Sequence, residues 1–359
     1  MSQRGPLRRR DDTRIRGPAA ELAGDDRGAD QLPAGPADDP DPAGSPVEAP
    51  VQTAVANPSV LAIVGPTASG KTELAIRVAE RLKGELVSMD SRQVFRHCDI
   101  GTNKPTRTEL RGVLLHGIDV VDPDAPFTAA DYQRVALRTI SEIAGRGHLP
   151  VLQGGTGLYL RAVLDGWNLG GAPPDPAFRA ALERRLDEAG ADALDAELRR
   201  IDPAAADRAR RNPRRLIRAL EIHAATGRPP SEARTSNPPP WSITVLGLDV
   251  PLTELDRRIE TRVQRMIDDG FVDEVRRVRR DFPRADLRRL GHGYPEMAAF
   301  IDGALSLEAA RDSTVRQVRQ YARRQLTWFK ADSRVTWVPP DLELAMARLG
   351  AGIMTAEAS

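Results

Sequence analysis

Short apolar runs alternate along this chain with stretches in which apolar side chains recur every three or four positions. Val60-Leu61-Ala62-Ile63-Val64 reads as a buried strand, and Leu74, Ala75, Val78 and Leu82 behind it line one face of a helix over Glu73 to Leu82. Glu85 to Met89 is a second strand and Leu114 to Val121 a third. Thr128 caps a helix to about Arg146 whose apolar side carries Ala129, Tyr132, Val135, Ala136, Thr139, Ile140 and Ile143. Leu149 to Leu152 is a fourth strand, followed by a helix over Leu158 to Leu164. From Ala177 to about Thr226 the pattern is helical without strand signals, and Pro173-Pro174-Asp175-Pro176 and Pro238-Pro239-Pro240 bracket it. Ile243 to Leu248 resumes the sheet. Three helices are predicted after it, over Leu252–Asp269, Pro295–Asp302 and Leu307–Phe329, then a last short strand over Val335–Val338. Strand–helix alternation of this kind predicts an α/β fold with a parallel sheet flanked by helices. The core spans residues 58–167 and 241–340, a helical insertion occupies 168–240, and 341–359 forms a C-terminal helix or tail. No internal repeat is present.

Composition changes the picture at the N-terminus. Residues 1–57 are rich in Pro, Ala, Gly and Asp and have almost no aromatic or β-branched residues, so they read as a disordered tail. They hold 7 Lys/Arg against 10 Asp/Glu, which leaves an excess of four positive charges on the other 302 residues, mostly as arginine runs. Such runs bind nucleic acid or form solvated helix faces. The single cysteine, Cys98, excludes a disulfide framework and a Cys-based zinc site, and reads as a small packing residue. His97, His116, His148, His223 and His292 have no metal-ligand spacing and read as surface or local polar groups. No signal peptide and no membrane-spanning apolar run is seen, so a cytoplasmic location is expected.

The chemistry centres on Gly65-Pro66-Thr67-Ala68-Ser69-Gly70-Lys71-Thr72, a full G-x-x-x-x-G-K-[ST] phosphate loop between strand and helix. Its glycines let successive N–H groups converge on an anion, and the helix N-terminus adds positive charge. Lys71 is expected on the terminal phosphate and Thr72 on Mg²⁺. The loop implies a polyphosphate ligand without saying which. In an open parallel sheet the C-terminal strand ends line the ligand crevice, which brings Asp90-Ser91 and Gly154-Gly155-Thr156-Gly157 beside the loop. Asp90 is therefore a base, a metal ligand or an N-cap, and Thr156 a ligand contact, a helix N-cap or both. Arg258 and Arg262 are four residues apart and share a helix face.

Several stretches in order resemble the tRNA dimethylallyltransferases (tRNA isopentenyltransferases) of the bacterial type. Besides the phosphate loop these are residues 90–95 and 99–105, Gly154 to Tyr159, Asn212 to Leu216, Arg258 to Arg262, Gly293-Tyr294 and Arg323 to Phe329. The resemblance covers roughly residues 60–338 and implies a P-loop NTPase-like fold. It implies transfer of a dimethylallyl group from dimethylallyl diphosphate to N6 of the adenosine 3′ of a tRNA anticodon, with Mg²⁺. By the same resemblance Asp90 is the general base, Arg262 joins the phosphate loop in holding the diphosphate, and Thr156 completes the catalytic set. An adenosine stacked in an anticodon loop must be extruded to react. Candidate tRNA contacts are Asp90, Ser91, Arg92, Gln93, Thr156, Arg179, Arg214, Arg215, Arg218, Tyr294, Arg324 and Gln325, and Arg323 and Lys330 are further candidates for the RNA backbone. The implied partners are the tRNA anticodon stem-loop and the allylic diphosphate, and a monomer is expected. The chain departs from the family at Phe95, at His97-Cys98, at Gln153 and at Pro295, and it lacks the zinc finger of eukaryotic members. The rival readings are a small-molecule phosphate-loop kinase, a prenyltransferase for free adenine nucleotides and a nucleotide-dependent RNA-binding switch.

Overall fold

A computed structural model describes residues 59–168, 175–233 and 235–356. The expected tail over 1–57 and the Pro173-Pro174 linker lie outside the described residues. The elements run β1 (Ser59–Val64), α1 (Lys71–Leu82), β2 (Gly84–Ser88), α2 (Arg107–Leu110), β3 (Leu115–His116), α3 (Ala129–Gly145), β4 (Leu149–Gly154) and α4 (Gly157–Leu164). Next come four helices, α5 (Pro176–Ile201), α6 (Pro203–Ala209), α7 (Pro213–Thr226) and α8 (Pro230–Ala233). The chain continues through β5 (Ser242–Leu248), α9 (Leu252–Asp268), α10 (Phe271–Asp281), α11 (Leu287–Leu290), α12 (Tyr294–Ile301), α13 (Leu307–Lys330), β6 (Val335–Val338) and α14 (Leu342–Ala356).

All six strands are parallel, in the order β3-β2-β4-β1-β5-β6. β1 is apolar from Val60 to Val64 because both of its faces are covered there. Val60, Ala62 and Val64 point to one side, where α3, α4 and the end of α13 supply Tyr132, Ile140, Leu160 and Phe329. Leu61 and Ile63 point to the other, against Leu74, Ala75 and Val78 of α1 and Ala345 and Leu349 of α14. The two-residue period of a strand thus assigns alternate residues of one run to two separate cores. β1 lies between β4 and β5; the chain leaves it for β2, beyond β4 on one side, and returns to its other side only with β5, much later in sequence. The phosphate loop leaves β1 at this switch point.

Two expectations are corrected here. The third strand is only two residues long rather than Leu114 to Val121. Past His116, Gly117 (φ +80°) and Asp119 (φ +55°) turn the chain out of the sheet, and Val121 forms only an isolated bridge with Phe95. Between β5 and β6 there are five helices rather than three. α10 and α11 bury Phe271, Val275, Val278 and Leu290 in a further apolar cluster with Val94, Phe95, Cys98, Tyr294 and Met297.

Helices α5 to α7 have an apolar cluster of their own, centred on Leu182, Leu194, Leu198, Leu216 and Leu220. The two chain segments that lead into and out of them lie side by side. Trp167 bridges Ser236, and Asn168 N donates to Thr235 O at 2.9 Å. His116 and His148 both reach Glu85, each at 2.7 Å, alongside a two-point bond from Arg146. Burial alone would raise the Glu85 carboxyl, yet these three partners outweigh it and hold it at about 2. The two histidines are thus local polar groups serving one buried acid.

Candidate active site

The crevice is built from the C-terminal ends of β1, β2 and β4. Gly70 adopts φ +91° as the residue before α1, a conformation that lets the loop close onto the helix N-terminus. Lys71 Nζ donates to Pro66 O at 3.1 Å, so the ammonium folds back over the loop. Burial is the main influence on Lys71 and brings it down to about 8, with Asp90 opposing and Arg262 reinforcing the shift. Arg262 Nη1 donates to Thr67 Oγ1 at 2.9 Å. Burial also lowers Arg262, to about 10, again against the attraction of Asp90. Two desolvated cations therefore face a single carboxylate, leaving room for an added polyanion. Ser69 Oγ, inside the loop, is buried with no partner among the described residues.

Arg258, one turn before Arg262 on α9, bonds Glu254 at 2.8 Å and approaches Ser69 O at 3.5 Å. The shared helix face read from the sequence thus brings both guanidinium groups to the phosphate loop. Arg262 makes no ion pair with Glu260 or Asp268.

Asp90 lies two residues past the end of β2. Its Oδ1 accepts Arg92 N at 2.8 Å, and its carboxylate acts on Lys71, Arg262, Tyr159 and Tyr321. Thr156 occupies the N-cap position of α4, but its hydroxyl makes no cap bond. It accepts Ser91 N at 3.1 Å instead, which fixes the Asp90 loop against the glycine loop. Thr72 Oγ1 donates to Gln153 Oε1 at 3.3 Å. Gln153 is one of the departures from the family pattern, and here it places an amide oxygen beside the hydroxyl expected to hold a metal.

Three residues expected on the RNA are interior. Gln325 bridges the two loops, taking Thr67 N at 2.8 Å and giving to Gly155 O at 2.9 Å, and a Cβ at Gly155 would collide with its amide. Gln93 is buried, accepting Ser88 Oγ at 2.9 Å and donating to Asn103 O at 3.2 Å. Tyr294 is fully buried, edge-on to Phe271, and its hydroxyl donates to Glu274 Oε1 at 2.7 Å. Glu274 also accepts the backbone N–H groups of Asp99, Ile100 and Gly101, each within 2.9 Å. That carboxylate, with Lys104 bonding Phe95 O, Asp99 and Asp119, sets the shape of the loop after Asp90.

The arginine candidates divide in two. Arg179 makes a two-point bond to Glu221 at 2.8 Å each, and Arg218 reaches the same carboxylate at 3.4 Å. Glu221 is 3% exposed, so taking Arg179 onto RNA would strip a buried carboxylate of its main partner. Both guanidinium groups are thus engaged with Glu221 in this structure. Arg214 and Arg215 are exposed at the start of α7, Arg215 bonding only Arg208 O at 3.2 Å. Arg324 is exposed and lies over the Tyr321 ring, while Arg323 pairs with Asp256 at 2.9 Å. Arg92 donates to the Arg289 carbonyl, tying α11 to the mouth of the crevice.

Tyr321 stands four residues before Gln325 on α13 and so shares its helix face.

The fold and crevice define a phosphate-loop α/β protein of P-loop NTPase-like architecture in which a carboxylate faces the anion cradle. An IPP transferase family model matches residues 93–332, and the chain belongs to that family. It is 48% identical over 284 residues to a tRNA dimethylallyltransferase of Roseiflexus sp. (strain RS-1), covering 79% of this chain and 93% of that protein. It is 45% identical over 285 residues to the tRNA dimethylallyltransferase of Geobacter sulfurreducens, covering 77% and 90%. Among solved structures, the tRNA isopentenylpyrophosphate transferase of Bacillus halodurans matches with 40% identity and a TM-score of 0.62, over 83% of this chain and 96% of that one. No helix among the described residues is long and apolar enough to cross a membrane.

Proposed function

We propose that this protein transfers a dimethylallyl group from dimethylallyl diphosphate to N6 of the adenosine 3′ of the anticodon in tRNA. The observation that carries this reading is the opposition of Asp90 to Lys71 and Arg262 across one crevice. Such an arrangement suits a displacement with a base on one side and an anionic leaving group on the other. The N6 nitrogen attacks the allylic carbon, the bond from that carbon to the diphosphate oxygen breaks, and Asp90 takes the proton N6 gives up. The phosphate-loop N–H groups, Lys71 and Arg262 stabilise the charge that builds on the departing diphosphate. Ser69 Oγ, which has no partner among the described residues, is a further donor within the same loop.

The donor set fits a hard divalent cation. Thr72 Oγ1 and Gln153 Oε1 are neutral oxygens, and Mg²⁺ in phosphate-loop proteins takes most of its shell from phosphate and water. Bound there, Mg²⁺ would neutralise charge on the diphosphate.

The extruded adenosine needs its RNA backbone held nearby. Arg214, Arg215 and Arg324 are exposed and suit phosphate contact, and Ser91 and Arg92 border the crevice. The test is a reaction containing labelled ATP, dimethylallyl diphosphate labelled in the allyl group, Mg²⁺ and unmodified tRNA. Label from the allyl group in the adenosine, with ATP intact, is the expected result. ADP release coupled to a phosphorylated product would overturn the reading in favour of a kinase.

A further inference from the structure

We infer that Gln325 is a positioning residue for the transfer, whose amide sets the spacing between the phosphate loop and the loop that carries Asp90. The inference rests on the function proposed above, in which the first loop holds the leaving group and Asp90 is the base.

An unbroken line of hydrogen bonds joins the two loops. Arg262 Nη1 donates to Thr67 Oγ1 at 2.9 Å, and Thr67 N donates to Gln325 Oε1 at 2.8 Å. Gln325 Nε2 then donates to Gly155 O at 2.9 Å. The next residue, Thr156, grips the chain on either side of Asp90. Its N–H donates to Met89 O and its hydroxyl accepts Ser91 N, both at 3.1 Å. The sheet cannot do this work, because β1 and β4 pair only as far as Val64 and Gly154. Past that register the Gln325 amide takes over from the strands.

The amide suits the place because its two ends differ. Thr67 N requires an acceptor and Gly155 O a donor, so the neighbours fix the orientation of the side chain. Gln325 is buried, and losing it would leave both backbone groups short of a partner. Its helix is anchored on both sides. Ala322 packs with Ile259 and Val263 of α9, the helix of Arg262, and Phe329 lies in the sheet core. The glycine pair completes the spacing. A Cβ on Gly154 would overlap Met89 O, and one on Gly155 would overlap the Gln325 amide. The glycine loop therefore fits between the Asp90 loop and Gln325 only without side chains. A base and a leaving group held on separate loops react at one separation, and a misplacement of about 1 Å costs roughly a hundredfold.

The experiment compares the full chain with Gln325→Met, which keeps the bulk and removes both bonds, and with Gly155→Ala, which displaces the amide while Gln325 stays. Each is measured for kcat with saturating dimethylallyl diphosphate and anticodon stem-loop, and for affinity to inorganic diphosphate and to the stem-loop. Amide exchange over residues 87–93 is followed by mass spectrometry. Both variants should lose roughly ten- to a hundredfold in kcat, with both affinities within about threefold of wild type. Asp90→Asn/Gln325→Met should turn over no more slowly than Asp90→Asn alone, because the two residues act as a unit. Exchange over 87–93 should quicken by about tenfold while residues 60–64 of β1 stay protected. Unchanged kcat, additive losses in the double variant, or a fall in diphosphate affinity that matches the fall in kcat would each overturn the inference. So would exchange that quickens equally over 60–64, the mark of a merely structural role. If the wild type transfers no allyl group, the proposed function fails, and the exchange measurement alone decides whether Gln325 holds the Asp90 loop.

Discussion

Arg262 and Arg215 are the same side chain in two settings. Arg262 sits in the crevice on α9, bonded to a loop hydroxyl and facing another cation, with burial drawing its guanidinium down to about 10. Arg215 stands exposed at the head of α7, where its guanidinium bonds one backbone carbonyl among the described residues. The first is kept charged at a cost that a bound polyanion relieves. The second keeps its hydration and gains little from any single contact until an extended charged surface meets it. Burial, not residue type, separates an arginine suited to one phosphate group from an arginine suited to a phosphate backbone.

Five substitutions or titrations probe that contrast. Asp90→Asn keeps shape and removes the base, so turnover should fall by roughly a hundredfold or more while diphosphate and tRNA affinities stay near wild type. Turnover within a few-fold of wild type would remove Asp90 from the chemistry. Arg262→Ala should lower kcat by about ten- to a hundredfold with little change in tRNA affinity, because its charge acts on the leaving group. The reverse pattern, with tRNA affinity lost and kcat kept, would erase the distinction between the two arginines.

Lys71 gives a pH test. In the ligand-free protein its pKa is about 8, below the usual 10.5, so it carries its proton at pH 7 and has lost most of it at pH 9. Bound diphosphate holds the proton on. Affinity for inorganic diphosphate should therefore fall about five- to tenfold from pH 7 to pH 9 relative to Lys71→Met, measured by calorimetry. Parallel pH profiles for the two proteins would refute this. The smallest effect belongs to the exposed face. Arg215→Ala should reduce the slope of log affinity for tRNA against log salt by about one. Arg179→Ala should leave that slope alone and lower the melting temperature, since it strands Glu221. A changed slope for Arg179→Ala would return that residue to the RNA.

The phosphate loop and the strands feeding the crevice were legible because their signals are local. Residues 60–72 contain the strand, the turn and the helix start in one stretch, and Asp90 follows from the rule about strand ends. Failures came where burial depends on a distant partner. Nothing near Gln325 announces that its amide spans Thr67 and Gly155, 258 and 170 residues away. Tyr294 looks like a recognition aromatic until Glu274 claims its hydroxyl. Arg179 reads as a basic face until Glu221, 42 residues on, is seen beneath it. α10 had a usable signal in Phe271, Val275 and Val278, spaced four and three apart. Its arginines and the preceding Gly270 obscured it. The third strand was overread because apolar residues from Leu114 to Val121 continue past a turn that Gly117 and Asp119 enforce.

The Gln325 bridge has a consequence for the order in which the molecule can be made. Synthesis runs from the N-terminus at about 5–20 residues per second, so the phosphate loop leaves the ribosome roughly ten to fifty seconds before Gln325 is added. Through that interval Thr67 N lacks the acceptor that finally holds it, and Gly155 O lacks its donor. Glu274, which gathers the loop after Asp90, comes earlier but still some 175 residues behind its partners. A nascent chain therefore carries every residue of the cradle long before it carries a cradle. A message truncated before codon 325 would yield a protein with an intact phosphate-loop sequence and two crevice loops left unjoined.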